Sequence, residues 1–481
     1  MTKLTRCAVA GLMLALSGAA PPELAAYRDL NRNGVMDPYE NPALPVDARV
    51  DDLLARMTPE EKAGQLLHGT LPGHGSAIGA STSGYDLDKA RAMIADQHVS
   101  SFITRLVMPP AQFAEQNNAV QKLAEATRLG IPATIAARAA GVMPTYVIVR
   151  GPRLKGAALE PVGAGFSKQL LNDLLRREKG YGGLIISDWA ITRDCDAACT
   201  APDASNPQLP GSIGMPWGVE HLSVTERFAK GLEAGLDQFG GVDDPAPILA
   251  VMREGKVDAA RIDASVRRIL RLKFELGLFE NPFVDPVRAE AVLGDPGVRA
   301  QADAAQRAGQ VLLRNQGALL PLRRGARLWL HGVDADAARA AGFQVVGKPE
   351  EADAALVRTA TPFETLHPHH FFGSRQHEGR LDFRPGDADT KTIAAAARHV
   401  PVIVAVEMDR PAILTALLPH SRALLVTFGA SDAALLDVVQ GVAKPRGKLP
   451  FDLPRSMEDV GKHRGGDDCC AQFRRGEGLQ L

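Results

Sequence analysis

Aromatic residues are scarce in this chain. Phe, Trp and Tyr make up 5% of its 481 residues, which leaves little material for a broad stacking platform along a long polysaccharide. An excess of one charge is missing too. The 55 Lys and Arg against 56 Asp and Glu give a formal net charge of -1, so neither nucleic acid nor an anionic membrane surface is expected as a partner. No apolar run is long enough to span a bilayer. Cysteine is limited to 5 residues, too few for a disulfide-built scaffold.

What is present reads as an ordinary globular composition, 45% hydrophobic and 23% charged, long enough for two or three domains. Lys3 and Arg6 precede the apolar run Cys7–Leu16 and the small residues Ser17, Gly18, Ala19 and Ala20. That order predicts a secretory signal peptide over 1–20 and a secreted or periplasmic protein. No Cys stands at the cleavage point, so no membrane anchor is expected there. Of the cysteines beyond the leader, Cys195 and Cys199 can close a small loop in an oxidising compartment. Cys469 and Cys470 are adjacent, and their partners stay open.

The extension over 21–48 holds a calcium-loop pattern. Asp29, Asn31, Asn33, Asp37 and Glu40 fall at loop positions one, three, five, nine and twelve, with Gly34 at six. Hard oxygen donors at this spacing suit one structural Ca²⁺. An Asx-rich surface turn is the alternative, since Pro38 interrupts the loop and no clear helix precedes it.

An α/β pattern follows. Thr58-Pro59-Glu60-Glu61 is a capping box that starts a helix. Buried-strand candidates are 65–70, 100–106, 131–136, 141–149, 183–188 and 235–240, with helices between them such as 111–127, 167–177 and 259–276. Alternation of this kind predicts a parallel sheet, open or closed into a barrel. After Asn281-Pro282 a linker with two helices spans 286–324, and a second α/β unit begins with strands at 327–332, 354–358, 402–406 and 423–428.

The stretch Gly182–Thr192 (GGLIISDWAIT) stands out. Its aliphatic run reads as a strand buried on both faces, and ligands gather at the carboxyl ends of such strands. Asp188 and Trp189 occupy that end. Either Asp188 does chemistry there or it caps the next helix.

Four motifs, GGLIISDW (182–189), GLDQFGG (235–241), RILRLKFELGLF (268–279) and VLLRNQGALLPL (311–322), together with the segment 428–454, resemble glycoside hydrolase family 3 of the secreted bacterial β-glucosidase type. The resemblance implies an α/β fold with a TIM-barrel-like (β/α) domain, here over 49–285, followed by an α/β sandwich domain over 325–481, with the active site between them. It also implies an exo-acting retaining hydrolase of β-glucosides or oligosaccharides that needs no cofactor for catalysis. Asp188 matches the family's nucleophile. Trp189 would then lie beside the sugar or cover the barrel rim, and Met215 and His370 are the other positions expected at the substrate.

The family's acid/base comes from a variable loop of the second domain, where Glu364 is preferred as nearer the strand end and Glu378 is its rival. His367, His369, His370 and His377 share that loop. A zinc-dependent hydrolase built on them is a third reading, although their spacing fits no ligand pattern.

One departure matters. Members of the family carry two further strands between the segments matching 131–136 and 141–149, with an Arg-rich stretch and a Lys-His-Phe-Pro-Gly motif that hold the sugar. This sequence has neither, so the barrel is expected to be incomplete, with six strands against about eight in a full one. Impaired turnover follows, with a non-catalytic carbohydrate-binding descendant as the alternative.

Overall fold

The computed structural model describes residues 27–74, 83–135, 141–462 and 470–481. The expected leader and Cys469 lie outside the described residues, as do 136–140, where the shortened segment was expected. Two compact units form. One comprises the described residues up to Ala201 with Pro210–Glu290, the other Pro202–Leu209 with Ala291–Leu481.

The first unit is built on six strands: β1 (Leu67–Thr70), β2 (Ser101–Ile103), β3 (Thr134–Ile135), β4 (Gly141–Val142), β5 (Leu184–Trp189) and β6 (Gln238–Gly240). All six expected strands are therefore present. They pair in parallel in the order β3-β2-β1-β6-β5-β4. β3 and β4 are neighbours in sequence yet stand at opposite edges. A closed (β/α)₈ barrel would set about two more strands between them, so the described sheet is a barrel wall that stays open. β4 is shorter than the expected 141–149 because Pro144 has no N–H for a ladder. Beyond it the chain leaves the sheet, and Ile148 makes an isolated antiparallel bridge to Gly163.

Local sequence signals set the helices. Before helix Pro59–Gln65 the Thr58 hydroxyl accepts the Glu61 N–H at 3.2 Å, and the Glu61 carboxylate accepts the Thr58 N–H at 2.9 Å. The segment expected as an ordinary helix over 167–177 is wound as a wider π-helix, Gln169–Glu178. Helix Ala259–Glu275 buries Ile262, Val266, Ile269, Leu270 and Phe274, a three-to-four-residue stripe. The same face carries Lys273, 1% exposed. Its ammonium donates to Ser100 O (2.8 Å), Pro132 O (2.9 Å) and Thr134 Oγ1 (2.9 Å), tying the starts of β2 and β3 together.

A second buried charge sits just before β6. Asp237 is fully buried, and its carboxylate meets Arg176 at 2.5 Å and Arg268 at 2.9 Å. It also accepts the Ser265 hydroxyl at 2.8 Å and the Ile185 N–H at 3.0 Å. One side chain thus holds β5, the π-helix and the long helix in register.

The second unit carries β7 (Val311–Asn315), β8 (Arg327–His331), β9 (Gln344–Val345), β10 (Ala354–Ala360), β11 (Val402–Glu407) and β12 (Ala423–Thr427), in the order β9-β8-β10-β11-β12-β7. Every pair is parallel except β7 with β12. Leu356, Val357, Ile403, Val404, Leu425 and Val426 are all fully buried. They divide between two apolar clusters, one on each face of the sheet, which is why these strands read as unbroken aliphatic runs. The segment expected as linker, 286–324, does hold two helices, Pro286–Leu293 and Pro296–Ala308. Its next part is not linker: Val311–Asn315 forms the antiparallel edge strand of this sheet.

Replacing the buried Asp237 by Asn leaves the partly buried Arg176 and Arg268 without their counter-charge, a loss of about 3 kcal/mol. The expected result is a lower urea midpoint for the first unit at unchanged slope, read by denaturant titration.

Candidate active site

β5 brings Asp188 and Trp189 to the carboxyl end of the open sheet, and its neighbours fix them there. Ser187 is fully buried; its hydroxyl accepts the Gly240 N–H at 2.9 Å and donates to Asp188 O at 2.7 Å. A Cβ on Gly241 would lie 2.5 Å from the Trp189 ring, and one on Gly240 would lie 2.8 Å from both that ring and Ser187 O. The glycine pair of GLDQFGG therefore makes room for the indole. Ala190 then turns into the left-handed region (φ 57°), a costly conformation for a residue with a Cβ. Three backbone bonds hold it: its N–H donates to Gly240 O (2.8 Å), and its carbonyl accepts Met215 N (3.1 Å) and Arg193 N (3.2 Å).

Asp188 caps no helix. The next one, Ala197–Thr200, is capped by Asp196. Instead the half-buried Asp188 carboxylate accepts the Trp189 N–H at 2.8 Å and the Tyr146 hydroxyl. Burial raises its pKa above the usual carboxylate value, opposed by those two donors. Burial and the Asp188 charge in turn push the Tyr146 phenol up, so it remains a donor.

His68, on β1, lies edge-on to Trp189 with ring centroids 5.7 Å apart. Its Nδ1 is buried with no hydrogen-bond partner in the described structure. Burial first, and then the Lys273 charge, hold its pKa down at about 4, so the imidazole is neutral. Trp189 is half-buried and Met215 packs partly buried against the core. Cys195 and Cys199 are bonded, with Cα atoms 5.1 Å apart, as their spacing suggested.

In the second unit, Glu364 and Glu378 face each other across a backbone bridge: Glu364 N–Glu378 O is 2.9 Å and Glu378 N–Glu364 O is 3.1 Å. Their side chains differ in use. Glu378 accepts the N–H groups of Leu366 and His367 at 3.1 Å and contacts His367 Nδ1 at 3.0 Å. The His367 bond leads in lowering its pKa, so Glu378 is held ionised. Glu364 is exposed and bound by one backbone N–H, that of Arg380, at 3.0 Å. Gly379 admits it, since a Cβ there would lie 2.0 Å from Glu364 Oε2.

His370 follows in the same loop, its ring perpendicular to that of His367 at 5.4 Å. His377 pairs with Asp409 at 2.5 Å and stacks on Phe363 at 3.7 Å. Among the described residues no three His, Cys, Asp or Glu side chains are grouped to hold a metal ion.

The loop over 29–40 is closed by its own bonds. Asp37 Oδ2 accepts the amides of Asn31 (2.5 Å) and Asn33 (2.8 Å), while Asp29 accepts Asn33 N (3.1 Å) and Gly34 N (2.9 Å). Glu40, expected as the twelfth-position ligand, is turned away from that duty. Its oxygens accept Leu30 N (2.7 Å), Asn31 N (3.3 Å) and Asp37 N (3.0 Å). The capping box around Pro38–Glu40 draws it there, with Pro38 setting the turn.

Tyr146 and His68 were not singled out from the sequence. Tyr146 sits in an apolar run that reads as strand, and only the preceding Pro144 signals that the run leaves the sheet.

No family model matches the chain. It is 37% identical to a periplasmic β-glucosidase/β-xylosidase of Dickeya chrysanthemi, covering 90% of this chain and 89% of that protein. That match runs over 588 residues, more than the 481 of this chain, so the Dickeya protein carries residues that this chain lacks. A probable β-glucosidase C of Aspergillus flavus is 40% identical over 68% of this chain, which spans 49% of that relative. Among solved structures, a β-glucosidase from Erythrobacter marinus superposes with a TM-score of 0.68 at 17% identity, over 92% of this chain and 84% of that one. A Listeria innocua β-glucosidase complexed with gluconolactone gives 0.63, also at 17%, over 90% and 83%. These two likenesses establish the fold: a parallel barrel-type sheet with helices, followed by a mixed-sheet α/β domain.

Proposed function

The chain belongs to glycoside hydrolase family 3, and from that premise we propose that it hydrolyses β-glucosidic bonds with retention, Asp188 serving as nucleophile. The carrying observation is the half-buried Asp188 carboxylate at the end of β5, oriented by the Trp189 N–H and the Tyr146 hydroxyl. It attacks the anomeric carbon as the leaving oxygen is protonated. Water then resolves the glycosyl-enzyme, activated by the same acid/base group. Glu364 takes that role in preference to Glu378. A general acid must be free to meet the leaving oxygen, and the Glu378 carboxylate is engaged by His367 and two backbone amides. Trp189, Met215 and His370 contact the sugar, Trp189 through its apolar ring. The name of the Dickeya relative and the charged-apolar-small order of residues 1–20 support a periplasmic or secreted location.

Turnover is low, because the described sheet sets no strand between β3 and β4. Each transition-state donor lost there costs about 10²–10³-fold. The open sheet edge also favours a second reading, a carbohydrate-binding descendant without turnover.

Hydrolysis of a chromogenic aryl β-glucoside decides between them. Asp188→Asn abolishes turnover if the chain is an enzyme, whereas no turnover from cooperatively folded wild type would support binding alone. Tyr146→Phe removes a donor that favours the ionised carboxylate, so Asp188 titrates at higher pH. The acid limb of the kcat/KM profile shifts upward, with about a tenfold loss on its acid side.

We also propose that the 29–40 loop takes a structural Ca²⁺. The Asn31 and Asn33 amides turn over to present oxygen beside Asp29 and Asp37, with Glu40 left on the backbone. Calcium then raises the melting temperature and a chelator reverses it; Asp29→Ala removes the response. An unchanged melting temperature would leave the loop an Asx turn.

A further inference from the structure

Gln208 lies far in sequence from the loop that carries Glu364, yet it is built into that loop. The chain leaves β5, passes the Cys195–Cys199 disulfide, and contributes Pro202–Leu209 to the second compact unit before returning. Within that unit Gln208, 8% exposed, makes two bonds to one short segment. Its backbone N–H donates to His369 O at 2.9 Å, and its Oε1 accepts the Phe371 N–H at 3.0 Å. From there the contacts run toward Glu364. His370 N donates to His367 O at 3.2 Å, and His367 binds Glu378 through ring and backbone. Glu378 is the backbone partner of Glu364.

We propose that Gln208 is a positioning residue for the acid/base group. As the same chain segment descends from the Asp188 strand, it orders the loop whose Glu364 must meet the leaving oxygen. Such a clamp is needed because Glu364 itself is exposed, with a single backbone N–H on its carboxylate. A mobile acid loses proton-transfer efficiency without losing sugar affinity. The proposal rests on the assignment of Glu364 above, and the test separates the two.

Three variants of the full chain, Gln208→Met, Gln208→Glu and Glu364→Gln, are compared with wild type on two β-glucosides. One has a 2,4-dinitrophenyl leaving group that departs unaided, and the other an alkyl group that needs protonation. Gln208→Met deletes the acceptor for the Phe371 N–H, whereas Gln208→Glu keeps one. The expected result for Gln208→Met is a fall in kcat/KM, which reports formation of the glycosyl-enzyme, of about tenfold or more on the alkyl glucoside. On the dinitrophenyl glucoside kcat/KM stays nearly unchanged, and Gln208→Glu recovers most of the loss. Glu364→Gln shows the same leaving-group dependence more strongly.

Equal loss of kcat/KM on both substrates by Gln208→Met, or none, overturns the positioning role while Glu364→Gln keeps its signature. Absence of the signature in Glu364→Gln overturns the assignment itself. Hydrogen exchange gives a readout independent of turnover. Amides over 364–380 exchange faster in Gln208→Met than in wild type or Gln208→Glu, and unchanged exchange also overturns the proposal.

Discussion

The buried carboxylate of Asp237 is the constraint on which the Asp188 strand depends. It accepts the N–H of Ile185, three residues before Asp188, so the start of β5 is fixed through a side chain from the neighbouring strand's approach. Its charge is affordable only because guanidinium groups from two helices surround it. Those helices are the covers of β5, and the arrangement therefore couples the packing of the outer layer to the register of the strand. At the other end of β5, Ser187 repeats the tie to β6 through the Gly240 N–H. Asp188 stands on a strand held at both ends.

Much of this was legible in the sequence, for a simple reason. The six strands of the first sheet are short apolar runs bounded by Gly, Pro or polar residues, and each run contains a strand. The capping box at Thr58 and the apolar stripe of 259–275 reported helices correctly because those signals are local. Other features lay beyond such reading. β7 was assigned to a linker because an antiparallel edge strand is recruited by a partner, β12, far along the chain. Glu40 matched a ligand position, yet the turn at Pro38 brought backbone N–H groups to its carboxylate first. Tyr146, His68 and Gln208 depend on which segments meet in space, and spacing along the chain carries no trace of that.

The two carboxylates of the second unit show how environment separates residues of one type. Glu364 and Glu378 share a backbone bridge, but only Glu378 is surrounded by a histidine and two amides. That difference in hydrogen bonding, and not their distance from the strand end, is what separates the two side chains.

Lys273 bears on how a (β/α) sheet can lose part of itself. Its ammonium ties the starts of β2 and β3 together, while β4 is secured separately by its pairing to β5. Among the described residues, each side of the opening is thus anchored to its own neighbour, β3 to β2 and β4 to β5. Sheets assembled from such self-anchored repeats are divisible: consecutive units can be removed in evolution without disturbing the register of those that stay.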